Sequence, residues 1–314
     1  MRVLVLGYTG YLGGHVVEHL RLLPEIGVLR AGRSPDAVYG VDLATAGPDR
    51  LAETLASAAP DAVINCAGAV GGDPVRLAEV NTRGTAVLCE ALRQAAPKAR
   101  LVHFGSAAEY GLGGKGIRVT ESAPTRPLSP YGATKLAGTV TVTTSGLDAV
   151  VLRVGNPVGP GAPPSGLPGR VAGLLREAGG DREAVLRLGD LSAYRDFVDA
   201  RDVARAAVLA ATASGPLPRV LNIGGGRAVR VRDLVRTLAR LAGYQGRIEE
   251  DGGGSARSGD VSWQCSDITA AREALLWRPS YTLVASLAAL WSATRAPAAH
   301  AETVTAPADG GRVR

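Results

Sequence analysis

Short apolar, β-branched segments alternate with amphipathic segments along the first half of the chain, to about residue 155. Strands that alternate with helices in this way form the βαβ units of a parallel sheet. Residues 76–95 place apolar side chains at helical spacing along one stripe, and another helix is predicted to begin near Tyr131. The strands are predicted at 2–6, 27–31, 39–41 (a weak pattern), 62–66, 100–104 and 149–153.

The pattern changes after this first region. Residues 156–168 are rich in Gly and Pro, which predicts a loop that leaves the first domain. A helix is predicted at 200–213 and a strand at 219–223, and both can return to the first sheet. Residues 226–292 are predicted to form a smaller helical segment. Residues 293–314 lose all apolar periodicity, and we expect them to be disordered.

Composition limits the class of protein. With 314 residues, of which 46% are hydrophobic and 20% charged, the chain can bury a core, which excludes a disordered or collagen-like protein. The net charge of +6 comes mostly from scattered arginines, and only 4% of residues are aromatic, so no nucleic-acid-binding surface is predicted. No apolar stretch is long enough for a signal peptide or a membrane span, and we expect a cytoplasmic protein. Cys66, Cys89 and Cys265 lack the spacing of a disulfide or zinc site, so no metal is expected.

A glycine-rich segment, GYTGYLG, stands between the first predicted strand and the first helix. Its glycines allow a tight turn and let backbone N–H groups approach a pyrophosphate at the N-terminus of the helix. The segment therefore predicts a bound dinucleotide cofactor. Its expected contacts are Gly7, Thr9, Gly10, Tyr11, Leu12 and Gly13.

The residues that follow the second predicted strand indicate which dinucleotide the protein binds. Dinucleotide-binding folds usually have an acid here for the adenosine ribose, whereas this chain has Arg33 and Ser34. An arginine and a serine can hold a 2′-phosphate, so NADP(H) is predicted, with NAD as the alternative. Asp42, followed by Leu43, is a candidate for binding the adenine.

Tyr131 and Lys135 are four residues apart and therefore lie on one face of a helix. A phenol with a pKa of about 10 is a poor acid–base catalyst at neutral pH, and a nearby ammonium group stabilises the phenolate. Ser106 follows the predicted strand LVHFG and can share a carbonyl oxygen with Tyr131. The three residues together indicate proton transfer at a carbonyl or alcohol oxygen.

These motifs resemble those of the extended short-chain dehydrogenases/reductases of the nucleotide-sugar type. The resemblance covers residues 1 to about 292, and within the family the chain is most similar to reductases of GDP-4-keto-6-deoxymannose and related 4-keto sugars. The matching motifs are GYTGYLG, NCAG (65–68), VNTRGT (80–85), GSAAEYG (105–111), YGATK (131–135), RVGNPVGPG (153–161), RDFVDARDVA (195–204) and LNIGGG (221–226).

The resemblance implies an α/β fold, a Rossmann doubly wound parallel sheet with a smaller, discontinuous C-terminal substrate lobe. Residues 1–155 and 196–224 would bind the cofactor, residues 156–195 and 225–292 would bind the substrate, and residues 293–314 would form the disordered tail. Family dimers pair the helices that carry Asn81 and Tyr131. The helix after Lys135 is about one turn shorter here, so the oligomeric state stays open.

The resemblance also implies roles for individual residues. Tyr131 would give or take the proton, Lys135 would tune its pKa and bind the ribose, Asn81 would support Lys135, and Ser106 would orient the sugar oxygen. The NCAG motif adds Cys66, Ala67 and Gly68 to the cofactor contacts. The substrate contacts would be Ser106, Ala107, Ala108, Asn156, Arg195 and Arg257, the last three at the diphosphate.

Two positions leave alternatives open. Arg195 can instead be a structural ion-pair partner of Asp196 or Asp199. Related 4,6-dehydratases carry a catalytic carboxylate where this chain has Ala107 or Ala108, and the acid Glu109 falls one place later, so dehydration is not expected.

The implied activity is NADPH-dependent reduction of the 4-keto group of a nucleotide-linked 4-keto-6-deoxyhexose. Three alternatives remain: a 4-epimerase with retained NAD, a ketoreductase for another secondary metabolite, and a non-catalytic dinucleotide sensor. Arg33 and Ser34 favour the reductase, because net reduction draws on exchangeable NADPH whereas an epimerase retains an oxidised cofactor.

Overall fold

The computed structural model describes residues 1–250, 252 and 261–295. Its strands are β1 (Arg2–Leu6), β2 (Gly27–Gly32), β3 (Tyr39–Gly40), β4 (Ala62–Asn65), β5 (Arg100–Ser106), β6 (Ala149–Val154), β7 (Asn156–Val158), β8 (Val185–Leu188), β9 (Tyr194–Asp199), β10 (Val220–Ile223), β11 (Ala228–Arg230) and β12 (Arg247–Glu250). Its α-helices are α1 (Tyr11–Leu20), α2 (Pro48–Ala58), α3 (Pro74–Ala78), α4 (Gly84–Ala95), α5 (Pro130–Thr143), α6 (Leu167–Ala178), α7 (Ala200–Thr212), α8 (Val231–Ala242), α9 (Thr269–Leu275) and α10 (Leu283–Arg295). A π-helical turn at Glu79–Arg83 joins α3 to α4, and a 3₁₀ turn at Ala107–Glu109 follows β5.

The largest sheet has seven parallel strands in the order β10-β6-β5-β4-β1-β2-β3. Every strand predicted from the apolar pattern lies in it, which confirms the predicted doubly wound α/β fold. Chain order reverses between β1 and β4, and a sheet of this topology binds ligands at the carboxyl ends of the strands beside such a reversal.

Both faces of this sheet are covered by helices, which explains why its strands are apolar almost throughout. Alternate residues of β1 face opposite layers: Val3 and Val5 pack with α1 and α7, whereas Leu4 and Leu6 pack with α2 and α4. The carboxyl ends of the strands therefore lie between two layers of helices.

Most of the remaining elements form a smaller unit. Strands β7, β9 and β11 form one sheet and β8 and β12 another, and α6, α8 and α10 pack together around a separate apolar core. The sequence interpretation was wrong in part here. The predicted loop at 156–168 begins with β7, and the segment 226–292, predicted as helical, also contains β11 and β12. These strands have only three or four residues, too few to show an alternating pattern.

The C-terminal segment is tied to the main sheet through α7. Trp277 is fully buried and its indole N–H donates to the backbone oxygen of Asp202, 2.9 Å away. The carboxylate of Asp202 accepts from the backbone N–H groups of Ser280 and Tyr281. Helix α10 continues through Arg295, so the disorder predicted from residue 293 does not begin there. Residues 296–314 lie outside the described residues.

Candidate active site

The glycine-rich segment forms the turn from β1 into α1. Gly7 has a positive φ of 76°, and a Cβ on Gly13 would lie 2.1 Å from the carbonyl oxygen of Gly7, so neither position accepts a side chain. Gly10 is the N-cap of α1 and no side chain caps the helix. The first-turn N–H groups of a helix have no partners within it and attract anions. Unshielded backbone donors of this kind fit a pyrophosphate.

Two side chains of the predicted cofactor loop pack against other parts of the protein. Tyr11 is half-buried, its ring packs edge-to-face on His15, and its buried hydroxyl has no hydrogen-bond partner among the described residues. Burial, with the nearby Asp199 carboxylate, raises the pKa of this phenol. Leu12 packs against the core on the α1 side of the sheet. The backbone N–H groups of Tyr11 and Leu12 are what these positions offer a cofactor, whereas Thr9 is exposed.

The predicted adenosine contacts follow β2 and β3. Arg33 is exposed and Ser34 half-buried directly after β2, where a ribose phosphate can approach them. Asp42 shapes its own turn, where its Oδ1 accepts from the N–H of Ala44 at 3.0 Å. Leu43 is buried in the core.

The NCAG segment continues β4 toward α5. The N–H of Ala67 donates to Asn65 Oδ1, and the side-chain amide of Asn81 exchanges two hydrogen bonds of 2.9 Å with the backbone of Ala69. Cys66 is half-buried and Gly68 exposed. The side chain of Asn81 thus fixes the end of this segment beside α5.

Asn81 lies in the π-helical turn and contacts α5 directly. Its Nδ2 donates to Thr134 Oγ1 at 3.2 Å, and the Oγ1 of Thr82 donates to the backbone oxygen of Thr134. Thr134 precedes Lys135, so these two bonds attach the π-helical turn to the part of α5 that carries Lys135. π-helical turns within α-helices are frequent at functional sites.

Lys135 is buried, with 5% of its surface exposed, and its amine donates to the backbone oxygen of Phe104 on β5. Burial lowers the pKa of Lys135 to about 8. Tyr131 lies one turn earlier on the same helix and is half-buried. The amine and the phenol therefore share one face of α5, as the spacing predicted.

Ser106 ends β5 and caps the 3₁₀ turn, where its Oγ accepts from the N–H of Ala108. The turn packs against the start of α5: a Cβ on Gly132 would lie 2.6 Å from the carbonyl oxygen of Ala108. Ser106, Ala107 and Ala108 are thereby brought beside the residue that follows Tyr131.

A buried polar network under this turn was missed by sequence reasoning. The Glu109 carboxylate is fully buried and bonded to Arg153 Nε at 2.8 Å, and Arg153 also donates to the hydroxyl of Tyr110. The Tyr110 hydroxyl donates to Asn222 on β10, 2.7 Å away. The motifs GSAAEYG, RVGNPVGPG and LNIGGG, noted in the sequence, contain these four residues, but their spacing did not show that they meet.

The predicted diphosphate contacts lie on β7 and β9. Arg195 is buried, donates to the backbone oxygen of Tyr194 and forms no ion pair with any described carboxylate. Asp199 pairs with Arg201 instead, and Asp196 accepts from the N–H of Ser266. A buried cation without a carboxylate partner suits an anionic ligand.

Asn156 uses its amide nitrogen within the protein. Nδ2 donates to Gln264 Oε1 at 2.8 Å and to the backbone oxygen of Asp196 at 3.3 Å. A phosphate contact from this nitrogen requires one of these bonds to be exchanged. Beside it, Tyr194 and Trp263 stack with ring centroids 5.0 Å apart, an aromatic pair that the sequence analysis did not single out. The predicted contact Arg257 lies outside the described residues.

Comparison with known proteins agrees with this arrangement. The model of the NAD dependent epimerase/dehydratase family matches residues 3–224. The dTDP-6-deoxy-L-talose 4-dehydrogenase (NAD(P)(+)) of Kitasatospora kifunensis is 37% identical over 93% of this chain and 95% of its own. The GDP-6-deoxy-D-mannose reductase of Pseudomonas aeruginosa is 28% identical over 93% of this chain and 96% of its own.

A solved structure of a similar protein has the same fold. RMD from Pseudomonas aeruginosa, complexed with NADPH, superposes with a TM-score of 0.81 at 25% identity, over 93% of this chain and 98% of that one. Across the described part of the chain, no helix is long and apolar enough to cross a bilayer. The chain therefore belongs to the NAD dependent epimerase/dehydratase family and is an NAD(P)-dependent oxidoreductase.

Proposed function

We propose that the protein reduces the 4-keto group of a nucleotide-linked 4-keto-6-deoxyhexose with NADPH. The observation that carries this proposal is the turn after β5. It brings Ser106 beside the helix of Tyr131 and Lys135, and its one carboxylate, Glu109, is bonded inside the protein. Both named relatives are oxidoreductases of nucleotide-linked 6-deoxyhexoses by their names, and oxidation at C4 is the reverse of 4-keto reduction.

Proton transfer is assigned to the residues of α5. When bound, the reduced nicotinamide supplies a hydride to C4. The Tyr131 hydroxyl donates its proton to the carbonyl oxygen, and the Ser106 hydroxyl donates a hydrogen bond to the same oxygen. The Lys135 ammonium stabilises the phenolate that Tyr131 becomes. Asn81 donates to the hydroxyl of Thr134, the residue before Lys135, and so helps to fix the geometry of the pair.

The cofactor is assigned to the crevice at the carboxyl ends of β1, β2 and β4. The first-turn N–H groups of α1 and the glycines of its turn would hold the pyrophosphate, and Lys135 would bind the nicotinamide ribose. Arg33 and Ser34 take the 2′-phosphate, which favours NADPH over NADH. Further contacts are assigned to Asp42, Leu43, Cys66, Ala67 and Gly68.

The nucleotide sugar is assigned to the smaller unit. The predicted division, 1–155 with 196–224 and 156–195 with 225–292, has its boundary inside β9, so we assign the whole of β9 to the smaller unit. Arg195 binds the diphosphate, assisted by Asn156 and Arg257, and Ala107 and Ala108 line the sugar. Elimination of water needs a carboxylate beside the sugar. Because Ala107 and Ala108 carry none and Glu109 is engaged with Arg153, we assign ketone reduction without dehydration.

The test is to follow NADPH oxidation with dTDP- and GDP-linked 4-keto-6-deoxyhexoses. Stoichiometric consumption and a 4-hydroxy product support the proposal. The Tyr131→Phe variant should bind NADPH but lose turnover at least ~100-fold. Tyr244→Phe is the matched control, because this tyrosine bonds Ala184 and Arg247 in the smaller unit, and it should retain turnover.

The epimerase alternative gives a different result in the same experiment. Protein denatured directly after purification would release stoichiometric NAD⁺, and 4-hydroxy epimers would interconvert without net NADPH oxidation. That combination would overturn the reductase proposal. A Tyr131→Phe variant with undiminished turnover would overturn the assignment of the proton donor.

A further inference from the structure

Glu109 is the most enclosed acid beside the candidate catalytic residues: its side chain has no exposed surface. One carboxylate oxygen, Oε1, accepts from the backbone N–H of Ser106 at 2.8 Å and from Thr139 Oγ1 at 2.9 Å. The other oxygen, Oε2, accepts from Arg153 Nε at 2.8 Å. A single side chain therefore joins the end of β5, the helix α5 and the strand β6.

Two of the residues bonded to Glu109, Ser106 and Thr139, lie in or beside the candidate catalytic group. Ser106 is the residue that bonds the sugar oxygen in the proposed reaction. Thr139 is one helical turn after Lys135, and residues four apart share one face of a helix. The Glu109 carboxylate thus holds the serine and the face of α5 that carries Tyr131 and Lys135 at a fixed separation.

Glu109 also supplies charge to Lys135. The titratable groups that face the Lys135 amine from neighbouring elements are Cys66 after β4, His103 on β5 and Glu109. Burial raises the pKa of the Cys66 thiol and lowers the pKa of His103 well below its usual value, which keeps both groups neutral. The negative charge that favours the ammonium form of Lys135 therefore comes from Glu109.

We propose that Glu109 is a positioning residue of this site: anchored by Arg153, its carboxylate aligns Ser106 with the face of α5 that carries Tyr131 and Lys135. The negative charge of Glu109 also favours the ammonium form of Lys135. The role in turnover rests on the proposed function, whereas the effect on Lys135 does not need a substrate. Glu109 acts through other residues and does not touch the reacting atoms.

The chain allows a direct test, because its three lysines are Lys98, Lys115 and Lys135. Protein labelled with ¹³C-lysine gives three side-chain signals, and Lys98 and Lys115 are exposed. Lys98→Arg and Lys115→Arg variants assign the signals without touching the site. The Lys135 signal is then titrated by NMR in the wild type and in the variants below.

Glu109→Gln removes the charge and keeps the shape. We expect the pKa of Lys135 to fall by roughly 1, because the lost negative charge of Glu109 favours the ammonium form. Turnover should fall at least ~10-fold with little change in the KM for NADPH, and its decline at alkaline pH should move down with the Lys135 titration. Glu90→Gln, which removes an exposed acid paired with Arg93, is the matched control and should leave the titration in place.

Glu109→Gln leaves Arg153 buried without its carboxylate, which is destabilising. The double variant Glu109→Gln with Arg153→Met removes both charges and keeps the proposal testable if the single variant does not fold. A folded variant of either kind in which Lys135 titrates as in the wild type would overturn the proposal. A wild type without reductase activity would overturn the proposed function instead, and the lysine titration would still decide the role of Glu109.

Discussion

Gly132 lies so close to the carbonyl oxygen of Ala108 that a Cβ on Gly132 would be 2.6 Å from it. The first turn of α5 therefore packs directly against the 3₁₀ turn that begins after Ser106. The Ser129 hydroxyl, which caps α5, accepts from the N–H of Gly132 and fixes the same residue from the other side. The separation of Ser106 and Tyr131 is therefore fixed by the contact between Gly132 and Ala108, and only glycine fits at position 132.

Gly132→Ala should therefore lower both stability and activity. The added methyl group must push α5 away from the turn, at a cost of about 1–3 kcal/mol in the free energy of unfolding. A misplacement of about 1 Å between reacting groups costs up to ~100-fold in turnover. Urea unfolding and kcat measure the two effects. Gly173→Ala in α6, where a Cβ would meet open space, is the matched control and should not destabilise the protein.

Arg33 should determine the choice between NADPH and NADH. Arg33→Ala removes the charged group proposed for the 2′-phosphate, and a hydrogen bond to a charged group contributes about 1.5–3 kcal/mol. The Kd for NADPH should rise at least ~10-fold while the Kd for NADH stays the same, as measured by fluorescence titration. Arg21→Ala, an exposed arginine at the other end of α1, is the control. An equal loss for both cofactors would contradict the assignment.

Arg195 should contribute to binding of the nucleotide diphosphate rather than to the chemical step. It is buried without a carboxylate partner among the described residues, and burial lowers the pKa of its guanidinium. Arg195→Met should raise the KM for the nucleotide sugar ~10- to 100-fold and leave kcat within a few-fold. Calorimetry with dTDP and GDP checks binding without turnover. Arg176→Met, on the exposed end of α6, should change neither value.

The rate of reduction should depend on the proton of Lys135. Burial lowers the pKa of Lys135 to about 8, so its ammonium form is lost as the pH rises through that value. Without the ammonium the Tyr131 phenolate is no longer stabilised, and proton donation becomes harder. We expect kcat to be level below pH 8 and to fall about tenfold per pH unit above it. A profile that stays level to pH 10 would disprove this link.

The large sheet could be predicted from the sequence because its central strands are buried on both faces and are therefore apolar almost throughout. The strands of the smaller unit could not. β12 has the sequence RIEE, and β8 pairs with it over only four residues. Their pairing depends on tertiary contacts, such as the Arg232–Glu250 ion pair, that leave no local pattern.

For the candidate site, motif and spacing indicated Ser106, Tyr131 and Lys135, and helical geometry alone places the last two on one face. The orientation of Glu109 could not be predicted in this way. An acid in a turn after a strand is ordinarily solvated, and Glu109 turns inward because Arg153 approaches from β6, 44 residues later in the chain. The π-helical turn could not be predicted from the sequence either. It accompanies the hydrogen bonds between Asn81 and Ala69, and the sequence does not show that these two residues meet.

The placement of β10 beside β6 bears on how the protein is made. Strand β6 is complete at Val154, but the strand that covers its outer edge begins at Val220, about 65 residues later. At translation speeds of about 5–20 residues per second, the nascent sheet carries an uncovered edge for roughly 3–13 s. An uncovered strand edge is a template for pairing with other chains. The newly made protein therefore passes through an interval on the ribosome in which the open edge of β6 can pair with other chains.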